Sequence, residues 1–116
     1  MKTLPVYAVL FCSIFFTNRS FAQNSIMKDS VMVLGNCGMC KKTIEKSAKA
    51  AGATAATWDS ETKQLNLSYA TNKASISKIQ EAIARSGYDT RDFVADDSAY
   101  QNLHGCCQYE RKKKEL

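Results

Sequence analysis

The chain has 116 residues and five cysteines but a single histidine, so it has room for one small domain and little machinery for acid–base catalysis. No Ser-His-Asp set, paired acidic site or phosphate-binding loop is apparent in the sequence, and we therefore do not expect an enzyme. The net charge is +5, of which the C-terminal "ERKKKEL" contributes +2; a short basic tail is usually solvated, and we do not expect nucleic-acid binding.

The N-terminus has the pattern of a secretory signal peptide. Lys2 supplies a positive n-region, "LPVYAVLFCSIFF" has the length of an apolar h-region, and "SFA" places small residues at a cleavage site after Ala22. The alternative, an uncleaved membrane anchor, is disfavoured because the apolar run is shorter than the ~20 residues of a bilayer span. Cleavage removes Lys2 and Arg19 from the 16 basic residues and leaves 14 against 11 acidic ones, a net charge of +3. We predict a protein exported across the inner membrane, to the periplasm.

A strand and a helix are the first predicted elements of the mature chain. "SVMVLG" (30–35) is rich in Val and Leu, which favours a strand, and "NCGM" is interpreted as a loop. From Cys40 to Ala51 apolar residues recur at three- and four-residue intervals, with lysines between them. This spacing predicts an amphipathic helix that begins at Cys40, and Gly52 is a suitable helix stop.

A hairpin and a second helix follow. "ATAATW" (53–58) and "QLNLSY" (64–69) are predicted strands, and the polar "DSETK" between them is short enough to make a hairpin. "SISKIQEAIARSG" (75–87) predicts a second amphipathic helix, and "YDTRDF" (88–93) a fourth strand.

The order β-α-β-β-α-β predicts an α+β fold of the ferredoxin-like kind, a four-stranded antiparallel sheet with two helices on one face. Beyond it, Tyr100 and Leu103 have helical spacing, and Asp97 or Ser98 suits the N-cap of a short helix in a cysteine-containing tail. We expect four parts: a signal peptide (1–22), a flexible lead-in (23–28), a folded domain (29–94) and a C-terminal tail (95–116).

Cys37 and Cys40 lie where the loop becomes a helix. A thiolate binds metal more readily than a thiol, and the free N–H groups and positive dipole end of a helix N-terminus lower a thiol pKa. The i, i+3 spacing allows both sulfurs to reach one ion. Soft thiolates select Cu(I), Hg(II) or Zn(II); two suffice for near-linear Cu(I) or Hg(II), whereas zinc prefers four ligands.

Two other interpretations of this CxxC pair remain open. "CGMC" is similar to the redox motif of thioredoxins, but those proteins need a proline, usually cis, that faces the active cysteines, and Pro5 in the predicted signal peptide is the only proline. A structural disulfide is the second alternative, because the exported chain would have an even number of cysteines in an oxidising compartment.

Cys106 and Cys107, with His104, place up to three soft or borderline donors in the tail. In one arrangement the tail packs near the loop and brings Cys106 or Cys107 to the ion of the CxxC pair; in another the two cysteines form their own site and pass the ion on. In a third, one cysteine packs under Tyr100 and Leu103 and the other has no role. His104 is the weaker candidate, since a lone histidine in a polar tail is usually solvated.

The strand, "GNCGMC", helix, hairpin, helix and "SGYDT" together resemble the heavy-metal-associated (HMA) domain over about residues 29–93. That family includes copper chaperones of the Atx/CopZ type, N-terminal modules of metal-pumping ATPases and periplasmic mercury-binding proteins. The resemblance implies that Cys37 and Cys40 are the ligands, that 29–94 is an HMA-like metal-binding domain and that Tyr88 lies beside the site. The family loop runs Gly-Met-x-Cys-x-x-Cys; here the Met is missing, and Met39, between the cysteines, is a further candidate neighbour.

Ligand exchange is the mechanism that this resemblance implies. We expect Cu(I) as the ion, with Hg(II) or Zn(II) as alternatives, and a metal-transporting membrane protein or another carrier as the partner. Lys41, Lys42 and Lys46 would make the docking face positive, unless they only solvate the helix. We expect a monomer, with a metal-bridged dimer as the alternative.

Overall fold

The computed structural model describes residues 25–111. The predicted signal peptide and the last lysines lie outside the described residues. The helices and strands, in chain order, are β1 (Ile26–Met32), α1 (Gly38–Ala50), β2 (Ala53–Trp58), β3 (Gln64–Ala70), α2 (Ile76–Arg85) and α3 (Asp97–Gln101), followed by a 3₁₀ turn (Gly105–Cys107). None of the helices in this part of the chain combines the length and apolar character that a bilayer span requires.

The sheet has three antiparallel strands in the order β1-β3-β2. Its register runs from Ile26 opposite Ala70 to Met32 opposite Gln64 on one side of β3, and Trp58 lies opposite Leu65 on the other. Alternation along β3 buries one face of the strand, as its sequence pattern predicts. The α+β class is therefore confirmed.

β1 begins earlier than its sequence suggests. The prediction placed its start at Ser30, whereas the strand starts at Ile26, among residues expected to be a flexible lead-in. Ile26, Met27 and Lys28 are exposed, so no apolar pattern marks them as strand. Pairing with β3 holds them, and that pairing depends on residues far away in the chain.

The fourth strand predicted at 88–93 does not form; the sheet of the described residues has three strands. This segment makes one isolated antiparallel bridge, Val33 to Thr90. The Thr90 N–H then donates to the Phe93 carbonyl at 2.8 Å, and the Phe93 N–H donates to the Thr90 hydroxyl at 3.1 Å. A threonine side chain that binds nearby backbone competes with a strand ladder, and here it turns the chain after a single bridge.

The start of α1 also differs from the prediction. The helix begins at Gly38, with Cys37 as its N-cap, and Cys40 lies within the first turn. Gly38 has open space around it and Met39 is exposed, so neither residue adds to the apolar spacing from which the start was inferred. Past the C-cap, Gly52 adopts a φ of +113°, the left-handed conformation in which glycine commonly ends a helix.

The hydrophobic core lies between the sheet and helices α1 and α2. Its largest fully buried members include Ile44, Trp58, Leu65, Ile79 and Ile83. Each such side chain contributes roughly 1.5–3 kcal/mol relative to its exposed state. This core fixes the end of β1 against the start of α1, which is where the CxxC pair lies.

The C-terminal segment packs onto this core. Helix α3 follows an N-cap at Asp96, one residue before the predicted cap, and the Asp96 side chain makes no capping hydrogen bond. Downstream, Cys107 is 3% and Tyr109 2% exposed, and both belong to the core cluster. The segment predicted as a tail is thus part of the folded domain as far as its described end.

Candidate metal centre

The loop before the CxxC pair is held from both sides. The Trp58 ring nitrogen donates to the Val33 carbonyl at 3.0 Å, and the Lys63 ammonium donates to the Gly35 carbonyl at 2.6 Å. A Cβ on Gly35 would lie 3.1 Å from the Trp58 ring, tighter than ordinary packing, so glycine allows this close approach. These contacts preorganise the loop that presents Cys37.

The two CxxC sulfurs converge at the N-terminus of α1. Cys37 has extended backbone at the N-cap, with φ −132° and ψ −179°, and Cys40 is 0% exposed. Their Sγ atoms are 3.7 Å apart, and both thiols are free. The spacing therefore brings both sulfurs within reach of one ion, as predicted.

Cys37 is the more acidic kind of thiol. The backbone N–H of Cys40 lowers the pKa of the Cys37 thiol, burial opposes that effect, and the N–H of Met39 and the tail thiols lower it further, to a pKa of about 6. The positive end of the helix acts in the same direction. At neutral pH Cys37 is largely a thiolate, the form that binds a soft ion.

Both tail cysteines lie at the same place. The Cys37 Sγ is 3.6 Å from Cys106 Sγ and 3.7 Å from Cys107 Sγ, and the two tail sulfurs are 4.0 Å apart. The sulfurs of Cys37, Cys40 and Cys107 all lie within 4.8 Å of one another. The structure thus places both tail sulfurs beside the CxxC pair, which is the packing that the first of the three arrangements requires.

The spacing of these sulfurs fits three or four ligands better than two. For a metal–sulfur bond of about 2.3 Å, two sulfurs are about 4.6 Å apart in linear geometry, about 4.0 Å in trigonal and about 3.8 Å in tetrahedral geometry. The shortest distances at Cys37 are 3.6–3.7 Å. A linear ion on Cys37 and Cys40 alone would require the pair to open by about 1 Å.

Burial raises the pKa of the Cys107 thiol, and its neighbours Cys40 and Cys37 raise it further. The neutral thiol is therefore favoured in the empty protein, and an ion must displace its proton. The pKa of Cys106 is raised first by its hydrogen bond to Cys37 and then by burial. One thiolate among several thiols is the form in which the cluster receives an ion.

Tyr88 lies beside the sulfurs, where the resemblance placed it. Its side chain is 1% exposed; burial, followed by the charge of Cys40 and hydrogen bonding to Cys107, raises its pKa. The hydroxyl thus keeps its proton and can donate to a sulfur. Such a donor orients a ligand without itself binding the ion.

The two remaining candidates lie at the edge of the cluster. Met39 is 48% exposed, and its Sδ is 3.7 Å from Cys106 Sγ. His104 is exposed and precedes the 3₁₀ turn that contains both tail cysteines. Among the described residues, His104 does not belong to the group of side chains spaced to hold a metal.

A set of polar and aromatic contacts, which we call the C-terminal clasp, holds the tail in place; its members are Tyr100, Tyr109, Arg111 and Asp89. The Tyr109 hydroxyl accepts from the Asp89 N–H at 2.7 Å and donates to the Gly87 carbonyl at 2.9 Å. The Tyr100 hydroxyl donates to the Tyr109 carbonyl at 2.5 Å. No local sequence pattern indicates this clasp, because its members are far apart in the chain.

Arg111 completes the clasp with charge. Its guanidinium donates twice to the Asp89 carboxylate at 2.9 Å, and to Asp97 at 2.7 Å. It also lies 5.0 Å from the centre of the Tyr100 ring. Because the Arg111–Asp89 pair is mostly buried and bidentate, it is of the stronger class of ion pair.

Gly87 allows α3 to approach the core. It has a φ of +107°, and a Cβ there would lie 2.8 Å from the Ala99 carbonyl oxygen, closer than real Cβ contacts allow. The sequence indicates Gly87 as a helix stop. Its second role is to leave room for α3, and no sequence pattern indicates that role.

Comparisons with known proteins place these features in a family. The model of the heavy-metal-associated domain matches residues 36–89. Among solved structures, a CopZ metallochaperone is 30% identical with a TM-score of 0.53, and the match covers 55% of this chain and 98% of that one. Oxidized MerP from Ralstonia metallidurans CH34 is 25% identical with a TM-score of 0.54, over 57% of this chain and 94% of that one.

A third similar structure is the water-soluble region of the P-type ATPase CopA from Bacillus subtilis, which is 29% identical with a TM-score of 0.53 over 58% of this chain and 46% of that one. The comparison with curated proteins gives no match. Cys106 and Cys107 lie beyond the residues that the family model matches. By its matched residues, its fold and its CxxC pair at the start of α1, the chain belongs to the heavy-metal-associated domain family.

Proposed function

We propose that this protein is an exported carrier that binds one soft metal ion and passes it on by ligand exchange. The observation that carries the proposal is the set of sulfur distances at Cys37, which are 3.6–3.7 Å to three other cysteines. Four free thiols gathered at a helix N-terminus form a soft, anionic donor set. Membership of the HMA family supports the same conclusion.

Cu(I) is the ion that we propose first. Cys37, Cys40 and Cys107 form a group of three sulfurs, a number that suits trigonal Cu(I), and thiolates select soft ions. Hg(II) has the same preference, whereas Zn(II) would draw in Cys106 as a fourth ligand. The name of one similar protein, a CopZ metallochaperone, agrees with a role as a metal carrier.

The proposed partner is a metal-transporting membrane protein or another carrier. Similarity to the soluble region of a P-type ATPase supports this class of partner. Lys42 and Lys46 are exposed on α1, whereas Lys41 pairs with Glu45 at 2.5 Å and donates to the Trp58 carbonyl at 3.0 Å. We therefore assign the positive docking charge to Lys42 and Lys46, which would steer an acidic surface.

A thiol–disulfide redox protein is the second candidate function. The observation that favours it is the lowered pKa of Cys37, about 6, since an acidic thiol next to a second thiol is the arrangement of redox CxxC motifs. A redox protein would cycle between dithiol and disulfide with a test substrate. A carrier would instead bind an ion tightly while reduced and catalyse no exchange.

Competitive titration of the reduced protein tests the proposal. Cu(I), Hg(II) and Zn(II) are each offered in the presence of a chelator, to the wild type, to Cys37→Ser and to a Cys106→Ser/Cys107→Ser double variant. We expect stoichiometric Cu(I) binding that is lost in Cys37→Ser and weakened about 10- to 100-fold in the double variant, since the double variant loses Cys107, one of the three grouped sulfurs. A reduced wild type that stays empty with every ion would exclude the carrier function.

Export is tested separately, by determining the N-terminal residue of the protein purified from the periplasm. We expect that the mature protein begins at Gln23. An intact Met1 in the membrane fraction would instead indicate the anchor.

A further inference from the structure

The four cysteines of the centre differ in their access to solvent. Cys40 and Cys107 are 0% and 3% exposed; Cys37 is half-buried and Cys106 is exposed. A partner thiol can therefore reach Cys106 directly, whereas Cys40 and Cys107 are covered by the fold. We call Cys37, Cys40 and Cys107, whose sulfurs lie within 4.8 Å of one another, the inner group. Cys106 lies outside it and begins an outer group.

The local backbone explains why adjacent cysteines differ. Cys106 and Cys107 occupy a 3₁₀ turn, in which three residues complete one turn, so that successive side chains point about 120° apart. When the clasp turns Cys107 inward, Cys106 must point outward. Its sulfur lies over Cys37 Sγ at 3.6 Å and outside the group formed by Cys37, Cys40 and Cys107.

Met39 extends the outer group along the surface. Met39 is 48% exposed, and its thioether sulfur lies 3.7 Å from the Cys106 sulfur. A thioether is a weak, soft ligand, which suits transient contact with an ion better than retention. We call Cys106 and Met39 together the sulfur port.

We propose that the sulfur port is the entry and exit route of the ion, and that Cys37, Cys40 and Cys107 retain it. This inference rests on the proposed function and deepens it, because it assigns the exchange step to Cys106, a residue outside the CxxC motif. Of the two port residues, Cys106 is the stronger ligand, and its sulfur lies 3.6 Å from Cys37 Sγ.

The exchange step is a sequence of bond substitutions at the ion. The bond between the Cys106 sulfur and the metal forms as one donor sulfur–metal bond breaks, and the proton that Cys106 loses passes to the departing donor thiolate. The Cys37 thiolate, 3.6 Å away, then bonds to the ion as the Cys106–metal bond breaks, and the proton that Cys107 loses on binding the ion passes to Cys106. No electron is transferred, so neither an oxidant nor a reductant takes part.

Measurements of Cu(I) affinity and of transfer rate distinguish the residues that retain the ion from the sulfur port that exchanges it. Cu(I) affinity is measured by competition with bicinchoninate, and transfer by stopped-flow absorbance after mixing the Cu(I)-loaded protein with excess of the same chelator. We expect Cys106→Ser to keep the affinity within about threefold while it slows transfer about tenfold. Cys107→Ser should instead lose about tenfold or more in affinity, and Met39→Leu should slow transfer less than Cys106→Ser does.

Alkylation of the loaded protein gives a readout that does not depend on transfer. After brief iodoacetamide treatment and peptide mass spectrometry, Cys106 should be modified while the other three cysteines are protected by the ion. Asn102→Ser, an exposed substitution outside the port, is the control, and equal thermal unfolding of all variants excludes a folding defect.

The inference fails if Cys106→Ser transfers Cu(I) as fast as the wild type, or if Cys106 is protected as fully as Cys107 and its loss costs the same affinity. In the second case Cys106 is a permanent fourth ligand. If the wild type binds no Cu(I), the proposed function fails with it, and the bicinchoninate titration shows this before any rate is measured.

Discussion

Tyr109→Phe tests whether the clasp holds the tail at the metal centre. The substitution removes one hydroxyl and keeps the ring, which stacks on Tyr88 with centroids 6.0 Å apart and meets the Tyr100 ring edge-on at 5.1 Å. The change therefore isolates the two hydrogen bonds that the hydroxyl makes, to the Asp89 N–H and the Gly87 carbonyl.

The expected loss of stability follows from the two buried backbone groups that lose their hydrogen-bond partner. Tyr109 is 2% exposed, and both hydrogen bonds are buried, at 2.7 and 2.9 Å. Without the hydroxyl, one buried donor and one buried acceptor lack a partner, and each costs about 1–3 kcal/mol. We expect the free energy of unfolding to fall by about 2–6 kcal/mol, and Cu(I) affinity to fall by at most the same amount, because Cys107 binds only from the docked tail.

Urea unfolding of the reduced protein measures the change in the free energy of unfolding, and chelator competition measures the change in Cu(I) affinity. Tyr69→Phe is the matched control, because the Tyr69 side chain is also buried, at 6% exposure, but its hydroxyl makes no hydrogen bond to another described residue. If Tyr109→Phe costs less than about 0.5 kcal/mol, as a surface substitution would, the clasp does not fasten the tail.

Three further predictions concern pH and backbone. Because the pKa of Cys37 is lowered to about 6, its alkylation rate should stay high at neutral pH and fall by half near pH 6, whereas an ordinary thiol loses reactivity below about pH 8.5. Burial raises the pKa of Asp89, but hydrogen bonds from Arg111 and the Ala95 N–H outweigh it and leave the pKa lowered. Its contribution to stability is therefore present above the unfolded pKa of about 3.9 and is lost as pH falls through the folded pKa; Asp89→Asn should remove this acid-dependent part in unfolding curves measured from pH 7 to 2. Gly87→Ala should destabilise by about 1–3 kcal/mol in urea, since φ is +107° and the added Cβ meets the Ala99 carbonyl; an unchanged midpoint would contradict the close approach of α3.

Strong local patterns explain what could be predicted from the sequence. The alternation of Leu65, Leu67 and Tyr69 identified β3, and the spacing of Ile79 and Ile83 identified α2, because each element has one buried face. The resemblance carried by the cysteines led to the family. These patterns lie within short continuous segments, so they can be recognised without knowing how the rest of the chain packs.

The features that were missed depend on distant residues. Ile26 is 56% exposed and is in a strand only because it pairs with Ala70. The clasp joins Arg111 to Asp89, 22 residues earlier in the chain, and no local spacing connects them. The sequence therefore left three arrangements open for Cys106 and Cys107, because their position beside Cys37 depends on how the tail packs.

X-ray absorption spectroscopy of the Cu(I)-loaded protein tests whether the tail completes the metal centre. It measures the number of sulfurs around the ion in the wild type and in Cys107→Ser. We expect three sulfurs in the wild type and two in the variant. Two sulfurs in both proteins would show that Cys37 and Cys40 bind the ion without the tail.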